Sequence, residues 1–432
     1  MTDERYSVCG SGYPLTAKQR ALLSLAESLG PQFAARAERY DREASFPFEN
    51  YADLKDSGLL GLCVPERFGG RGADFRTYAL ISATIGKYCG ATALTFNMHA
   101  CSTLWPGALA DELDMSAAER HEHERHRAIH FRRIVQEGAI YAQPFSEGSA
   151  AAAGTAPFGT LAAKVEGGWR INGKKIFASL AGAAHYYGML CTEDKPDRSL
   201  RDTLYLAVPG DAPGLAIVGE WDPLGMRGTV SRNLVFKDVF VPDEASMMPR
   251  GTYFQAASRW PHMFTTLAPT YMGIAIAAYE FTVRYLRGEI DGIAAVKRRM
   301  YATKQIAVAE MWIKLEQTRA LFLRMLEDAR IDPPKDARLR AYAAQFTIME
   351  NANDLCRLAI RTFRRGKLAV VDVSDSGPGI PEELKTKVFD AFFSTKAEGM
   401  GLGLSVSASI IEHHGGRLSL ARTSKRGSTF RI

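Results

Sequence analysis

The stretch WRINGKKIFAS, Trp169 to Ser179, decides how this chain is read. Asn172-Gly173 is a pair that accepts left-handed backbone at both positions, so it predicts a tight hairpin between two strand-like runs. Around it, from about Ala139 to Pro242, lie short β-rich runs such as TLYLAV, separated by turn residues such as PGDAPG. Before that region, from about Thr16 to Gln136, the apolar spacing is helical, with a break at Phe68-Gly69-Gly70-Arg71-Gly72 where no helix interior continues. After Pro242 helices return. Val308, Met311, Trp312, Leu315, Phe322, Met325 and Leu326 fall on one face, and Asp332-Pro333-Pro334 ends that helix. A second helix follows, with Leu339, Tyr342, Phe346 and Met349 expected on its packing side, so that the two pair as an antiparallel hairpin. From Leu368 the texture changes again, to an apolar strand LAVVDVSD, glycine-rich loops and a helix ending at His413-His414-Gly415-Gly416.

Composition fits several domains of ordinary size: 432 residues, of which 46% are apolar. The net charge of +6 is spread among almost as many acids as bases and forms no basic block, so no nucleic-acid or membrane partner is expected. Six cysteines, at 9, 63, 89, 101, 191 and 356, lie outside any CxxC spacing and point to neither a disulfide framework nor a thiolate metal site. The N-terminus MTDERYS lacks a basic region followed by an apolar one, and the greasy run Phe264 to Leu286 carries Pro269, Glu280 and Arg284. A cytoplasmic protein without a membrane span is expected. His121, His123, His126 and His130 have helical spacing, but Arg125, Arg127, Arg132 and Arg133 would repel a cation, so the expectation is a solvated polar helix end and no metal.

LCVPERFGG (Leu62 to Gly70), WRINGKKIFAS, and GMRGTVSRNLVFKDVFVP (Gly225 to Pro242) resemble, in order, three motifs of the acyl-CoA dehydrogenase family. The loop Gln143-Pro144-Phe145-Ser146-Glu147-Gly148 resembles a fourth, without its proline and most of its glycines. The resemblance covers residues 1 to about 362. It implies an FAD-dependent oxidation of an acyl-CoA-like thioester, in which the protein orients the flavin and excludes water. It places Phe177 against the flavin ring, Ser179 at its edge, Gln143 and Ser146 on the loop that meets it, Arg232 near the active site and Gln305 on the flavin-side helix. The same fold also hosts flavin-dependent monooxygenases, which is an alternative reading. The family's ordinary continuation past residue 362, with helices that complete the FAD site across a homo-oligomer interface and in many members carry the catalytic glutamate, is missing, so no catalytic base can be named. Glu310, Glu316 and Glu350 read as surface or interhelical charges.

VDVSDSGPGI (Val371 to Ile380) and FDAFFSTKAEGMGLGLS (Phe389 to Ser405), followed by IIEHHGGRL, resemble the nucleotide-binding boxes of the histidine kinase, gyrase and Hsp90 type of ATPase. By that resemblance Asp375, Gly377, Gly379, Gly399, Gly401 and Gly403 form part of an ATP site, with glycine N–H groups and a helix N-terminus offered to phosphate. A histidine kinase-like signalling module is the second alternative. Asn351-Ala352 looks like the family's asparagine box but lies too close to the strand that should follow. The join near Arg357 to Thr362 has no Pro, Gly or Ser-rich linker, as in an accidental fusion.

The expected fold is α+β and multidomain. An α-helical domain at 1–138 and a β-barrel-like middle domain at 139–245 precede a truncated helical bundle at 246–362, and a partial α/β sandwich of histidine kinase ATPase type fills 363–432.

Overall fold

The computed structural model describes residues 7–10, 12–149, 151, 155–292, 294–296, 299–362, 372–375, 377–390, 393–394, 403–413, 416–424 and 427–432. Gly399 and Gly401 lie outside the described residues. The chain divides into two compact units, residues 1–297 with 308–355, and residues 298–307 with 356–432.

In the first unit the helical segment comprises α1 (Ala17–Glu43), α2 (Phe48–Asp56), α3 (Phe75–Tyr88), α4 (Gly90–Leu104) and α5 (Ala117–Arg132). Local sequence sets several of the starts. Thr16 and Gln19 form a capping box on α1, Asp74 accepts from Thr77 N on α3, and Ser116 and Glu119 form a capping box on α5. Small residues set the crossings: a Cβ at Gly30 would meet the Tyr88 ring at 2.2 Å, bringing α1 close to α3. In α5 the structure corrects the reading of a solvated helix end. His123, His126, Arg127 and His130 are all buried, and His123 and Arg127 meet a kink where the backbone leaves helical geometry at Gly107. Arg127 donates to Pro106 O at 2.9 Å and to Asp111 Oδ1 at 2.6 Å, and His123 Nε2 lies 2.9 Å from Pro106 O. Burial pushes His123 down to about 4, so it serves as a neutral partner there.

The middle segment contains β1 (Tyr141–Ala142), β2 (Leu161–Val165), β3 (Gly168–Ala178), β4 (Tyr186–Glu193), β5 (Thr203–Pro209), β6 (Leu215–Val218), β7 (Arg232–Pro242) and β8 (Ser246–Met248). They form one eight-stranded sheet in the order β6-β7-β3-β2-β4-β5-β8, with β1 parallel to β4. Among the described residues this path is open, with β6 and β8 at its ends, so the barrel-like expectation gives way to an open sheet. The hairpin expected at Asn172-Gly173 is also corrected. The turn lies earlier, at Glu166-Gly167, and β3 runs straight through 172 and 173. Gly173 marks a bulge against β7, with φ +149 and Thr160 packed 2.6 Å from where a Cβ would sit. A glycine that reads as a turn residue is here a site of close backbone approach.

Helices α6 (Thr252–Arg259) and α7 (Ala268–Arg287) follow, then α8 (Ala302–Glu327) and α9 (Lys335–Thr362). A Cβ at Gly273 on α7 would meet Ala83 O at 2.3 Å, which fixes the α3–α7 crossing. Met311, Leu315, Phe322, Met325 and Leu326 of α8 are buried as the spacing predicts. On α9 the expected face is the wrong one. Ala337, Ala341, Ala344, Ile348, Ala352 and Leu355 are buried, whereas Leu339, Tyr342 and Phe346 are 58%, 41% and 68% exposed. The helix carries two apolar stripes, and the small-residue stripe wins because alanines allow close approach to its neighbours. Among the described residues no helix is long and apolar enough to cross a membrane.

The second unit holds the ends of α8 and α9 and an antiparallel sheet in the order β10 (Ser419–Ser424), β11 (Gly427–Arg431), β9 (Asp372–Ser374), with helix α10 (Gly403–His413).

The bulge makes a sharp prediction. Gly173→Ala meets both a backbone that L residues rarely adopt and the Thr160 wall, and should cost about 2–3 kcal/mol. Gly167→Ala, at φ +72 in open space, meets only the backbone term of about 1–2 kcal/mol. Urea unfolding of both variants checks the order; equal losses would mean that Thr160 moves aside freely.

Candidate functional site

The first unit brings together five of the residues expected at the flavin. The loop that leaves β1 begins with Gln143, whose side chain is buried and whose Nε2 has no hydrogen-bond partner among the described residues. A buried amide donor left unpaired costs free energy unless a bound group completes it. Ser146 fixes the loop to β3, its carbonyl accepting from Ile176 N at 2.8 Å. The next residue does more. Glu147 Oε1 lies 2.7 Å from Lys175 Nζ, and the same carboxylate accepts from Gly159 N at 2.6 Å and Thr160 N at 3.0 Å. Lys175 is fully buried, pointing inward from β3 in step with Ile171.

The two charges fare differently in this pair. Burial works against the Glu147 carboxylate, but the Lys175 ammonium and the two backbone N–H groups outweigh it and hold the carboxyl below its ordinary value. Burial pulls Lys175 below the usual lysine value, and Glu147 only partly restores it. The carboxylate is stabilised by three donors and the ammonium by one acceptor, so the lysine bears the cost of desolvation.

Downstream on β3 a second irregularity in the pairing with β7, between Lys175 and Ala178, reverses the alternation of side chains. Phe177 takes φ +52 and stands 64% exposed, edge-on to Trp221 with ring centroids 6.1 Å apart. Ser179, just past the strand, is buried and 2.8 Å from Ser231 Oγ, which is 2.7 Å from Thr229 Oγ1. Thr229 donates to Met226 O at 2.8 Å. That last bond sets the direction of the relay: Ser231 donates to Thr229 and Ser179 donates to Ser231. The Ser179 oxygen therefore has lone pairs to offer and no proton. Arg232, opposite Ala178 on β7, donates through Nε to Gly219 O at 2.7 Å and so holds the loop that carries Trp221. Phe177, Leu180, Met226 and Val230 all have positive φ, a concentration of strained backbone around one small area.

Other expected residues are engaged in other ways. Gln305 belongs to the second unit and donates to Arg299 O at 2.8 Å. In that unit Asp375 Oδ1 accepts from Gly377 N at 2.9 Å and Ser428 N at 3.0 Å, and Gly379, at φ +82, packs where a Cβ would meet Ser424 O at 2.1 Å. Gly403 opens α10 in open space. Asn351 is buried on α9 and donates to Thr318 Oγ1 of α8 at 3.1 Å. Glu310 and Glu350 are exposed, and Glu316 is paired with Arg319.

Sequence reasoning missed the Glu147–Lys175 pair, the Thr229–Ser231 relay and Trp221. Only the first had a usable signal, a lysine at the inward parity set by Ile171. The relay joins hydroxyls that are 52 residues apart along the chain.

Residues 16–107 match the model of the acyl-CoA dehydrogenase N-terminal domain and residues 145–239 that of the acyl-CoA dehydrogenase middle domain. Residues 342–432 match the histidine kinase-, DNA gyrase B-, and HSP90-like ATPase, a match that begins inside α9, ahead of the boundary read near 363. The chain is 26% identical over 356 residues to the probable acyl-CoA dehydrogenase YngJ of Bacillus subtilis, covering 81% of this chain and 88% of that protein. It is 27% identical over 313 residues to the human mitochondrial short-chain specific acyl-CoA dehydrogenase, covering 71% of this chain and 72% of that one. In three dimensions it resembles butyryl-CoA dehydrogenase from Megasphaera elsdenii, with a TM-score of 0.66 and 21% identity, over 82% of this chain and 89% of that chain. Residues 16–107 and 145–239 thus carry the N-terminal and middle domains of the acyl-CoA dehydrogenase family, and residues 342–432 carry a domain of the histidine kinase-, DNA gyrase B- and HSP90-like ATPase family.

Proposed function

We propose that the chain is a flavoprotein of acyl-CoA dehydrogenase type that holds FAD and takes an acyl-CoA-like thioester as substrate. The observation that carries this reading is the pairing of an unsatisfied buried donor, Gln143 Nε2, with an exposed aromatic, Phe177, and an acceptor-only hydroxyl, Ser179. FAD would supply the hydride acceptor for oxidation next to the thioester carbonyl. The chain's own residues supply placement. Gln143 donates, Ser146 and Glu147 keep the loop on β3, Phe177 offers a ring face, Ser179 accepts, and Arg232 holds the Trp221 loop in place. Gln305 is assigned to the flavin by resemblance alone, as is a homo-oligomeric state, while a cytoplasmic location rests on the scattered cysteines. The domain limits at 138, 245 and 362 are part of the same proposal.

Removing a proton beside a thioester carbonyl needs a positioned carboxylate. Glu310, Glu316 and Glu350 are exposed or paired to arginine, as above, and the family's usual continuation after residue 362 is replaced. We therefore expect FAD binding with little dehydrogenation. Dye reduction with a panel of acyl-CoAs tests this, comparing the chain with one in which residues after Thr362 are exchanged for the C-terminal helices of a close relative. The exchanged chain should be faster by on the order of a hundred-fold. Equal rates would place the base within residues 1 to 362, and a colourless protein that takes up no FAD would end the flavoprotein reading.

The Glu147–Lys175 pair gives a second expectation. Lys175→Met strands a buried carboxylate and should cost about 3–5 kcal/mol together with bound FAD, while Lys175→Met with Glu147→Gln should recover part of both. Because the Glu147 carboxyl sits below its ordinary value of 4.5 in the fold, its contribution is complete above that value and is lost as pH falls through the folded one. Acid unfolding curves should thus converge for the parent and the double variant at low pH.

For the C-terminal segment we propose that ATP is not bound productively, since Asp375, Gly377, Gly379, Gly399, Gly401 and Gly403 make up only half a pocket and Asp375 Oδ1 is engaged with two backbone N–H groups. A fluorescent ATP analogue should show no saturable binding. Saturable binding abolished by Asp375→Asn would refute this.

A further inference from the structure

We propose that the N-terminal helical domain carries a separate site for a small phosphate-type anion, in a cleft between Lys55 and Arg71. The cleft has a volume of about 320 Å³ and is lined by Lys55 from the last turn of α2, by Gly58 and Gly61, by Gly69-Gly70-Arg71, and by apolar contacts from Ile134 and Val135. That volume is at the small end of what encloses a small molecule and well short of what a folded partner needs.

Its charge is one-sided. The lining contains two cations and no carboxylate. Among the described residues neither Lys55 nor Arg71, both of them exposed, takes part in an ion pair. Both are held by carbonyl oxygens instead: Arg71 Nη2 donates to Ser57 O at 3.0 Å, and Lys55 Nζ lies 3.4 Å from Glu137 O. These carbonyls close helical segments, so one explanation for the cations is that they cap helix C-termini. Magnitudes decide against that as their whole role. Each helix end presents about half a negative charge, so two full positive charges leave the cleft with a surplus of about one. Each side chain also has donors in reserve, since an ammonium carries three and a guanidinium five.

The glycines keep the space open. Gly58 has φ +75, and a Cβ there would sit 2.7 Å from Arg71 Nη2. At Gly70 a Cβ would meet Val64 O at 2.1 Å. A side chain at Gly58 would push the guanidinium aside, and one at Gly70 would force the Gly69-Gly70-Arg71 loop away from the Val64 backbone. A planar guanidinium beside a point-like ammonium suits a tetrahedral oxyanion, with two parallel bonds to the one and a single bond to the other.

The test is titration calorimetry on the full chain in low-salt buffer, with inorganic pyrophosphate and, as the carboxylate counterpart, citrate. Pyrophosphate should bind saturably, weaken on addition of KCl, and lose about tenfold in affinity in Arg71→Gln and again in Lys55→Gln, the loss expected for one charged hydrogen bond. Arg42→Gln, an exposed base paired with Glu38, should bind as the parent does. Arg71→Lys keeps the charge and should retain intermediate affinity, which guards against misreading a variant that folds badly. FAD content should not change in any of these, so the result is independent of the flavin reading. No saturable heat, or full affinity in the Lys55→Gln, Arg71→Gln double variant, overturns the proposal; the latter would put the anion elsewhere, for instance on the glycine-rich tail. Citrate binding tighter than pyrophosphate would overturn the phosphate assignment.

Discussion

The candidate flavin site depends on one buried ion pair. Without Glu147 bonded to Lys175, the loop from Gln143 to Gly148 would have little to hold it to β3, because Ser146 contributes a single backbone bond. The pair is costly, since the ammonium is taken wholly out of water, and a cost of that kind persists only when the surroundings complete it. Gly159 and Thr160 do so from the bend that leads into β2, which ties two other stretches of chain to the carboxylate of the loop.

Around that anchor the sheet uses irregularity to aim side chains. A regular β3 would place Lys175 and Phe177 on the same face. The offset between Lys175 and Ala178 lets the lysine point inward, the phenylalanine outward and Ala178 inward again. The strain at Phe177, Leu180, Met226 and Val230 is the cost of bringing two bent segments together so that three hydroxyls can line up between them. A rigid hydroxyl with a fixed direction discriminates between donors and acceptors, which a freely rotating one does not.

Much of the fold was legible from sequence because it rests on local rules. Helical apolar spacing, a glycine-rich break and β-rich runs separated by turn residues place the helices of residues 16–136, the β-rich middle and the α8 helix. The misreadings arise where tertiary contact overrides a local signal. Asn172-Gly173 is a sound turn signal, but Thr160 packs against Gly173 and the chain goes straight on. On α9 the larger apolar residues suggested the packing face, and the alanine stripe took it instead. The histidines of α5 looked solvated because nothing local announces that Pro106, Gly107 and Asp111 wait to receive Arg127 and His123. For the site, Phe177 and Ser179 were found through the motif that contains them, while the Thr229–Ser231 relay was invisible because its members meet only in three dimensions.

Helix α9 runs without interruption from Lys335 to Thr362, and the match to the histidine kinase-, DNA gyrase B- and HSP90-like ATPase begins inside it. Once a helix has nucleated, each further residue adds a bond at little entropic expense, so elongation is indifferent to ancestry. A seam placed there spares a recombined gene from having to invent a connecting loop, and any incoming sequence of moderate helical preference can be extended until a breaker stops it. Long helices are thus natural splice points between unrelated polypeptides, and a hybrid chain can retain an ordered front half while the origin of its back half changes.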